Sequence, residues 1–336
     1  MENETESFSD KAKELVPFFI MAAFVLIVQV GSLWLSATEY MASQPPLDNP
    51  ENVGYAIYYI IGLLIVSALL IFLLRRKKKV IRLAIRLAIY ISIGMTLFYF
   101  FVAVLDKAVG DSTYTVILSI LFALALTVLI HKYPEWYIID ITGLMIAIGI
   151  CTLLGISLSY MPIIILMVGL LIYDFIAVYK TKHMITLAHG MMDLKLPILF
   201  VIPKKWNYSF IKDDFSEETE QADEKSEEKD KTDLALESAE GEEQKKKSDA
   251  LFMGLGDAVI PTLLVISSNH FLEHDGVIAI PSLYAMIGTW VGFAALMYLV
   301  SKGKPQAGLP FLNTGAIVGF VIGVIVSGTA ISISLL

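Results

Sequence analysis

Ionisable side chains inside apolar runs are the first places to look for chemistry, and two stand out here: Asp174 in LLIYDFIAVYK and Asp257 in LFMGLGDAVIP. A charged group in the hydrocarbon region costs about 2.5–3.5 kcal/mol on insertion scales, so it needs a role or a route to water. Two carboxyls that meet can share one proton, because like charges about 3 Å apart do not both ionise. The pair then enters the bilayer as one charge instead of two. Its chemistry is acid and base together: the ionised member takes a proton from water as the water attacks a peptide carbonyl, and the protonated member donates to the carbonyl oxygen. That chemistry calls for no metal, cofactor or covalent intermediate. Gly254, Leu255 and Gly256 lead into Asp257, and the two glycines remove side chains where another backbone must come close.

The elements that would position the pair are membrane helices. Of 336 residues 56% are hydrophobic and only 17% charged, and the mean hydropathy is +0.70, which is an all-α polytopic membrane composition. A span needs about 20 apolar residues, somewhat fewer when flanking groups adapt. Nine runs qualify, at 16–35, 55–74, 80–105, 115–130, 137–158, 161–178, 251–267, 277–300 and 311–336. The first follows an acidic MENETESFSD and reads as a true span instead of a cleavable signal. Residues 211–250 hold 16 acidic side chains against 7 lysines, so the formal charge of −8 belongs to one segment. Cys151 is the sole cysteine, which excludes a disulfide framework and a cysteine metal cluster. No nucleic-acid partner is expected.

Lys and Arg stay on the cytoplasmic side of short loops. With a cytoplasmic N-terminus, the inside segments take Arg75 to Lys79, Lys132, Lys180, Lys182, Lys302 and Lys304, and the outside loops keep only Lys107. The C-terminus is then extracytoplasmic, and the cell membrane is the expected location. Asp174 lies just before its helix reaches the cytoplasm and Asp257 just after the next one leaves it. At 1.5 Å per residue both fall roughly 6–10 Å below the same boundary. The chain divides into a six-helix part (1–180), a cytoplasmic loop (181–250) and a three-helix part (251–336). Within the loop, 181–206 reads as an amphipathic helix or strand, and 211–250 as an acidic disordered linker.

On Tyr173-Asp174 and Gly254-Leu255-Gly256-Asp257, the chain resembles the presenilin and signal-peptide-peptidase family of GxGD intramembrane aspartyl proteases, most closely its archaeal presenilin-like members. The family's third motif, Pro-Ala-Leu at the head of the last span, corresponds to Ala307-Gly308-Leu309, followed by Pro310, with Ala307 in place of the leading proline. The resemblance implies nine helices, a large cytoplasmic loop after the sixth, a site split between the sixth and seventh, and substrates that are transmembrane helices of other proteins. No accessory subunit is expected to be required, and the sequence leaves the oligomeric state open. A helical substrate must unwind to expose its scissile carbonyl, and the unwound strand needs new partners. The proline-bounded run KLPILFVIP at 195–203 resembles the family's strand after the sixth span and is suited to β-augmentation. Deleting 197–202 is expected to abolish cleavage and leave the fold intact.

Other candidates carry less. His270, Glu273 and His274 form H-x-x-E-H, a zinc pattern when helical, but they lie before Asp275-Gly276 in a short loop with no third ligand in view. Asp140 sits just inside the fifth span at a similar depth but lacks the glycine approach, and it reads as a boundary hydrogen-bonding group. An ion-coupled transporter or channel would also place carboxylates in the membrane, with inverted repeats as its mark. Prepilin-type peptidases share the GxGD aspartate but usually continue with a lysine, where this chain has Ala258.

Overall fold

The computed structural model describes residues 2–43, 47–75, 79–110, 113–176, 199–203, 250–300 and 308–329. The expectations for the loop at 181–198 and 204–249, and for Ala307, fall outside these residues. Among the described residues the order is α1 (Glu2–Ser36), α2 (Glu39–Ala42), α3 (Gly54–Arg75), α4 (Lys79–Val109), α5 (Thr113–Lys132), α6 (Trp136–Ser157) and α7 (Tyr160–Ile176). Then follow β1 (Leu199–Pro203), β2 (Ala250–Gly254), α8 (Leu255–Phe271), α9 (Ile280–Val300) and α10 (Gly308–Ser327). Six of the described helices are long and apolar enough to cross a bilayer, and α3 and α7 contain shorter apolar helices.

Burial sorts the helices. Residues 261 to 268 of α8 are buried on every face, by α1, α6, α7, α9 and α10, so α8 is the axis of the bundle. Such a helix has no lipid to satisfy and tolerates Thr262, Ser267 and Ser268, whose hydroxyls all bond backbone carbonyls. By contrast α3 and α5 expose Ile61, Ile65, Leu69, Ile120 and Leu124 along their lengths, as lipid-facing helices do. A dense contact joins α9 to α10. A Cβ added at Gly288, Gly292, Gly315 or Gly319 would run into the other helix's backbone. The glycine stripe therefore lets the two backbones touch.

The seventh apolar run does not begin as helix. Residues 250–254 form β2, antiparallel to β1 with Leu199 opposite Gly254 and Pro203 opposite Ala250. Gly254 and Gly256 weaken a helix start there, while Leu251, Phe252 and Met253 suit a strand that has a partner. Within the expected strand at 195–203, the described residues Leu199–Pro203 do form a strand, and its partner is this stretch of the chain itself. Phe200, Val201 and Ile202 are buried, which contradicts the expectation that 197–202 can be deleted without harm to the fold.

Candidate active site

Asp174 lies in the last turn of α7 and is 3% exposed. Its neighbour Tyr173 is 39% exposed. Adjacent helical residues point about 100° apart, so the two do not share a face. Tyr173 borders the site from outside.

Asp257 enters from the opposite side of the same space. β2 ends at Gly254, whose extended backbone (φ −62, ψ 135) caps α8. Asp257 is then the third helical residue, where a side chain reaches back to the capping backbone N–H. Its carboxyl indeed takes a hydrogen bond from the Gly254 backbone, and the charge that acts on it is that of Asp174. A Cβ at Gly254 would stand 3.4 Å from the Asp257 Oδ2. At Gly256 a Cβ would meet just the Ile260 Cδ1 at 3.9 Å, and the residue is exposed. The first glycine therefore accommodates the carboxyl, and the second leaves room open to an approaching chain. Pro261 has no N–H for the Asp257 carbonyl four residues earlier, so that carbonyl lacks its helical partner. Leu255 turns away and packs against Gly143 of α6.

Gly308, the first residue of α10, closes the site. A Cβ there would fall 2.8 Å from the Asp257 Oδ2 and 3.1 Å from Oδ1, so α10 lays bare backbone directly on the carboxyl. Leu309 and Pro310 follow, half-buried. Pro310 is tolerated because the first-turn N–H groups have no helical acceptor.

One group that the sequence placed at the boundary has a defined partner. Asp140 of α6 is 4% exposed, and its Oδ1 accepts the Val201 amide at 2.7 Å. Beside it, Phe200 is fully buried, 5.0 Å centroid to centroid from Phe24 of α1. Phe200 is a supporting residue that sequence reasoning passed over; its signal was an aromatic inside the proline-bounded run. The H-x-x-E-H residues do not share a helix, since α8 ends at Phe271, and the His274 ring lies between two backbone carbonyls, with Nδ1 beside that of Gly276 and Nε2 beside that of Asn269. Among the described residues no three His, Cys, Asp or Glu side chains gather as a metal site would require.

The arrangement is a buried carboxyl facing a second one that is held by a helix start, with glycine backbone on two sides. A carboxyl pair of this kind can act as acid and base toward a water molecule. The family model described as "Signal-peptide peptidase, presenilin aspartyl protease" matches residues 21–329. Among solved structures, the chain is similar to a presenilin family intramembrane aspartate protease in two crystal forms. The C222 form is 33% identical, with a TM-score of 0.63 over 92% of this chain and 99% of that one. The P2 form is also 33% identical, with a TM-score of 0.60 over 91% and 96%. No curated protein sequence matches the chain.

Proposed function

This chain belongs to the signal-peptide peptidase and presenilin family and is an intramembrane aspartyl endopeptidase, and from that premise we propose that Asp174 and Asp257 are its catalytic dyad. The observation that carries the assignment is a buried carboxyl at the end of α7 near enough to act electrostatically on a carboxyl at the start of α8, with Gly308 against the second. The ionised member removes a proton from water as the oxygen attacks the scissile carbonyl carbon, and the protonated member donates to the carbonyl oxygen. The tetrahedral diol collapses as the leaving nitrogen takes the proton from one aspartate and a diol hydroxyl gives its proton to the other, so the pair ends singly protonated as it began.

The substrate is a transmembrane segment of another membrane protein, and it must be locally extended for attack. The β1–β2 sheet supports that reading, since β2 runs straight into Asp257. β1 meets β2 along one edge and gives its central amide to Asp140 on the other, so an extended segment joins beside β2. Tyr173, Leu255, Gly256, Leu309 and Pro310 border its path, with Ala307 adjoining Gly308 in sequence. We further place all nine helices other than α2 across the bilayer, with the N-terminus cytoplasmic, the C-terminus extracytoplasmic and the dyad near the cytoplasmic face. The basic residues support this orientation.

The test is purified full-length protein in lipid with a single-span substrate, compared with Asp174→Ala and Asp257→Ala. Both variants should lose cleavage completely while keeping the parent's melting temperature. Cleavage that persists in either one removes that residue from the mechanism.

A further inference from the structure

Asp140 is a buried carboxylate that the dyad mechanism does not use. It lies in the second turn of α6, and the bond from the Val201 amide to its Oδ1, 2.7 Å long, spans 61 residues of sequence. Successive residues of an antiparallel strand send their backbone groups to opposite edges. The Val201 amide therefore points away from β2, and the ladder bonds fall to Phe200 with Met253 and Ile202 with Leu251. A slip of one residue would exchange the two faces of the strand, but Phe200, Val201 and Ile202 are all buried apolar residues, so apolar pattern alone forbids neither that slip nor one of two. Asp140 supplies what the pattern lacks. Sliding one way presents it with Pro203, which has no N–H, and a buried carboxylate without its donor is costly. Sliding either way moves Phe200 and Ile202 off their buried positions.

The register so fixed is passed to the site by a short route. Gly254 pairs with Leu199, caps α8 and gives its backbone hydrogen bond to Asp257. Three residues along α6 from Asp140, a Cβ at Gly143 would meet Phe200 and Leu255 at 3.3 Å each. One face of α6 thus seats β1 and the start of α8 together.

We infer that Asp140 is a positioning residue: through its bond to Val201 it sets the register of the β1–β2 sheet, and with it the placement of Asp257 and the bond that is cut in an extended substrate. It touches no reacting atom, and its action rests on the Asp174 and Asp257 dyad. The experiment uses the full chain in vesicles with a single-span substrate, steady-state kinetics and mass spectrometry of the products. Asp140→Ala should lower kcat/KM by about 10- to 100-fold, as a slightly misplaced site does, and spread the cut over neighbouring bonds. Asp140→Asn, whose side-chain oxygen accepts the same amide, should restore one cut position and near-parent kinetics. Val201→Pro, which removes the donor, should mimic Asp140→Ala, and the double variant should be no worse than the poorer single one, as for partners in one interaction. Retention of the parent's cut position and kinetics by Asp140→Ala would overturn the inference. So would an Asp140→Asn protein that melts like the parent yet cleaves as poorly as Asp140→Ala, or penalties that multiply in the double variant. Should Asp140→Ala not fold, Asp140→Asn against Val201→Pro makes the same comparison, and equal impairment of both overturns the inference. An Asp257→Ala control separates the two readings: cleavage by that control removes the dyad, whereas an inactive control beside an unaffected Asp140→Ala removes the positioning role alone.

Discussion

Gly308 carries the sharpest steric condition in the site, because an added Cβ would stand 2.8 Å from the Asp257 Oδ2. The carboxyl is the mobile end of its side chain, so Gly308→Ala should fold normally and displace the group instead. The expected result is a fall in kcat of about tenfold, with KM and melting temperature near the parent's. An unchanged kcat would mean that α10 does not set the carboxyl's position. A second expectation concerns protons. In the proposed mechanism the dyad works with one proton on the pair, so the rate should fall at low pH as the base takes a proton and at high pH as the acid loses one. Initial rates in vesicles equilibrated at each pH test this, and a rate that rises monotonically with pH would exclude a shared proton. Both aspartates and their glycines were legible in the sequence, since a carboxyl in an apolar run announces itself. The inward or outward aspect of Tyr173 was not, and the partner of Asp140 was hidden because the bond joins residues 61 apart.

At the level of elements, nine apolar runs were legible from hydropathy, and six of the described helices are long and apolar enough to cross a bilayer. The error lay at the head of the seventh. Leu251 to Met253 are as apolar as the helix they precede, so hydropathy could not separate them from it. What makes them a strand is a partner about 50 residues earlier, and pairing of that kind leaves no local mark. Phe200 gives this a measurable consequence. Its ring fills the space between Phe24 and Gly143, and Phe200→Ala should destabilise the protein by about 3 kcal/mol through the cavity it leaves. A melting temperature equal to the parent's would show that the sheet is not part of the packed core. The α9–α10 contact makes a parallel demand. Gly315→Leu would drive its side chain into the α9 backbone at Gly288, part the two helices and withdraw Gly308 from Asp257. Activity should be lost together with stability, in contrast to the selective loss expected of Gly308→Ala.

Across the whole molecule the chain must cross the bilayer in alternating directions, and contacts at one end of the bundle bear on this without reference to charge. Lys107 at the end of α4 sits over the Trp34 ring at the end of α1, 5.5 Å from its centroid. The amide of Leu47 bonds the Ser157 carbonyl, and that of Ser159 bonds the Pro50 carbonyl, so the segments after α1 and after α6 share an end. Ser267 near the end of α8 bonds the Leu158 carbonyl at that same end. Asp140, Asp174, Asp257 and Gly308 belong to the other ends of their helices, so the dyad and its supports occupy one face of the membrane. The basic residues argue for the cytoplasmic face, and the protein offers a clean test, because its single cysteine, Cys151, is fully buried. In intact cells a membrane-impermeant maleimide should label Lys107→Cys and leave both the parent and Lys132→Cys unlabelled. After the membrane is opened, Lys132→Cys should react as well. The reverse pattern would place the dyad near the extracytoplasmic face, where an unwound substrate segment would have to enter from outside.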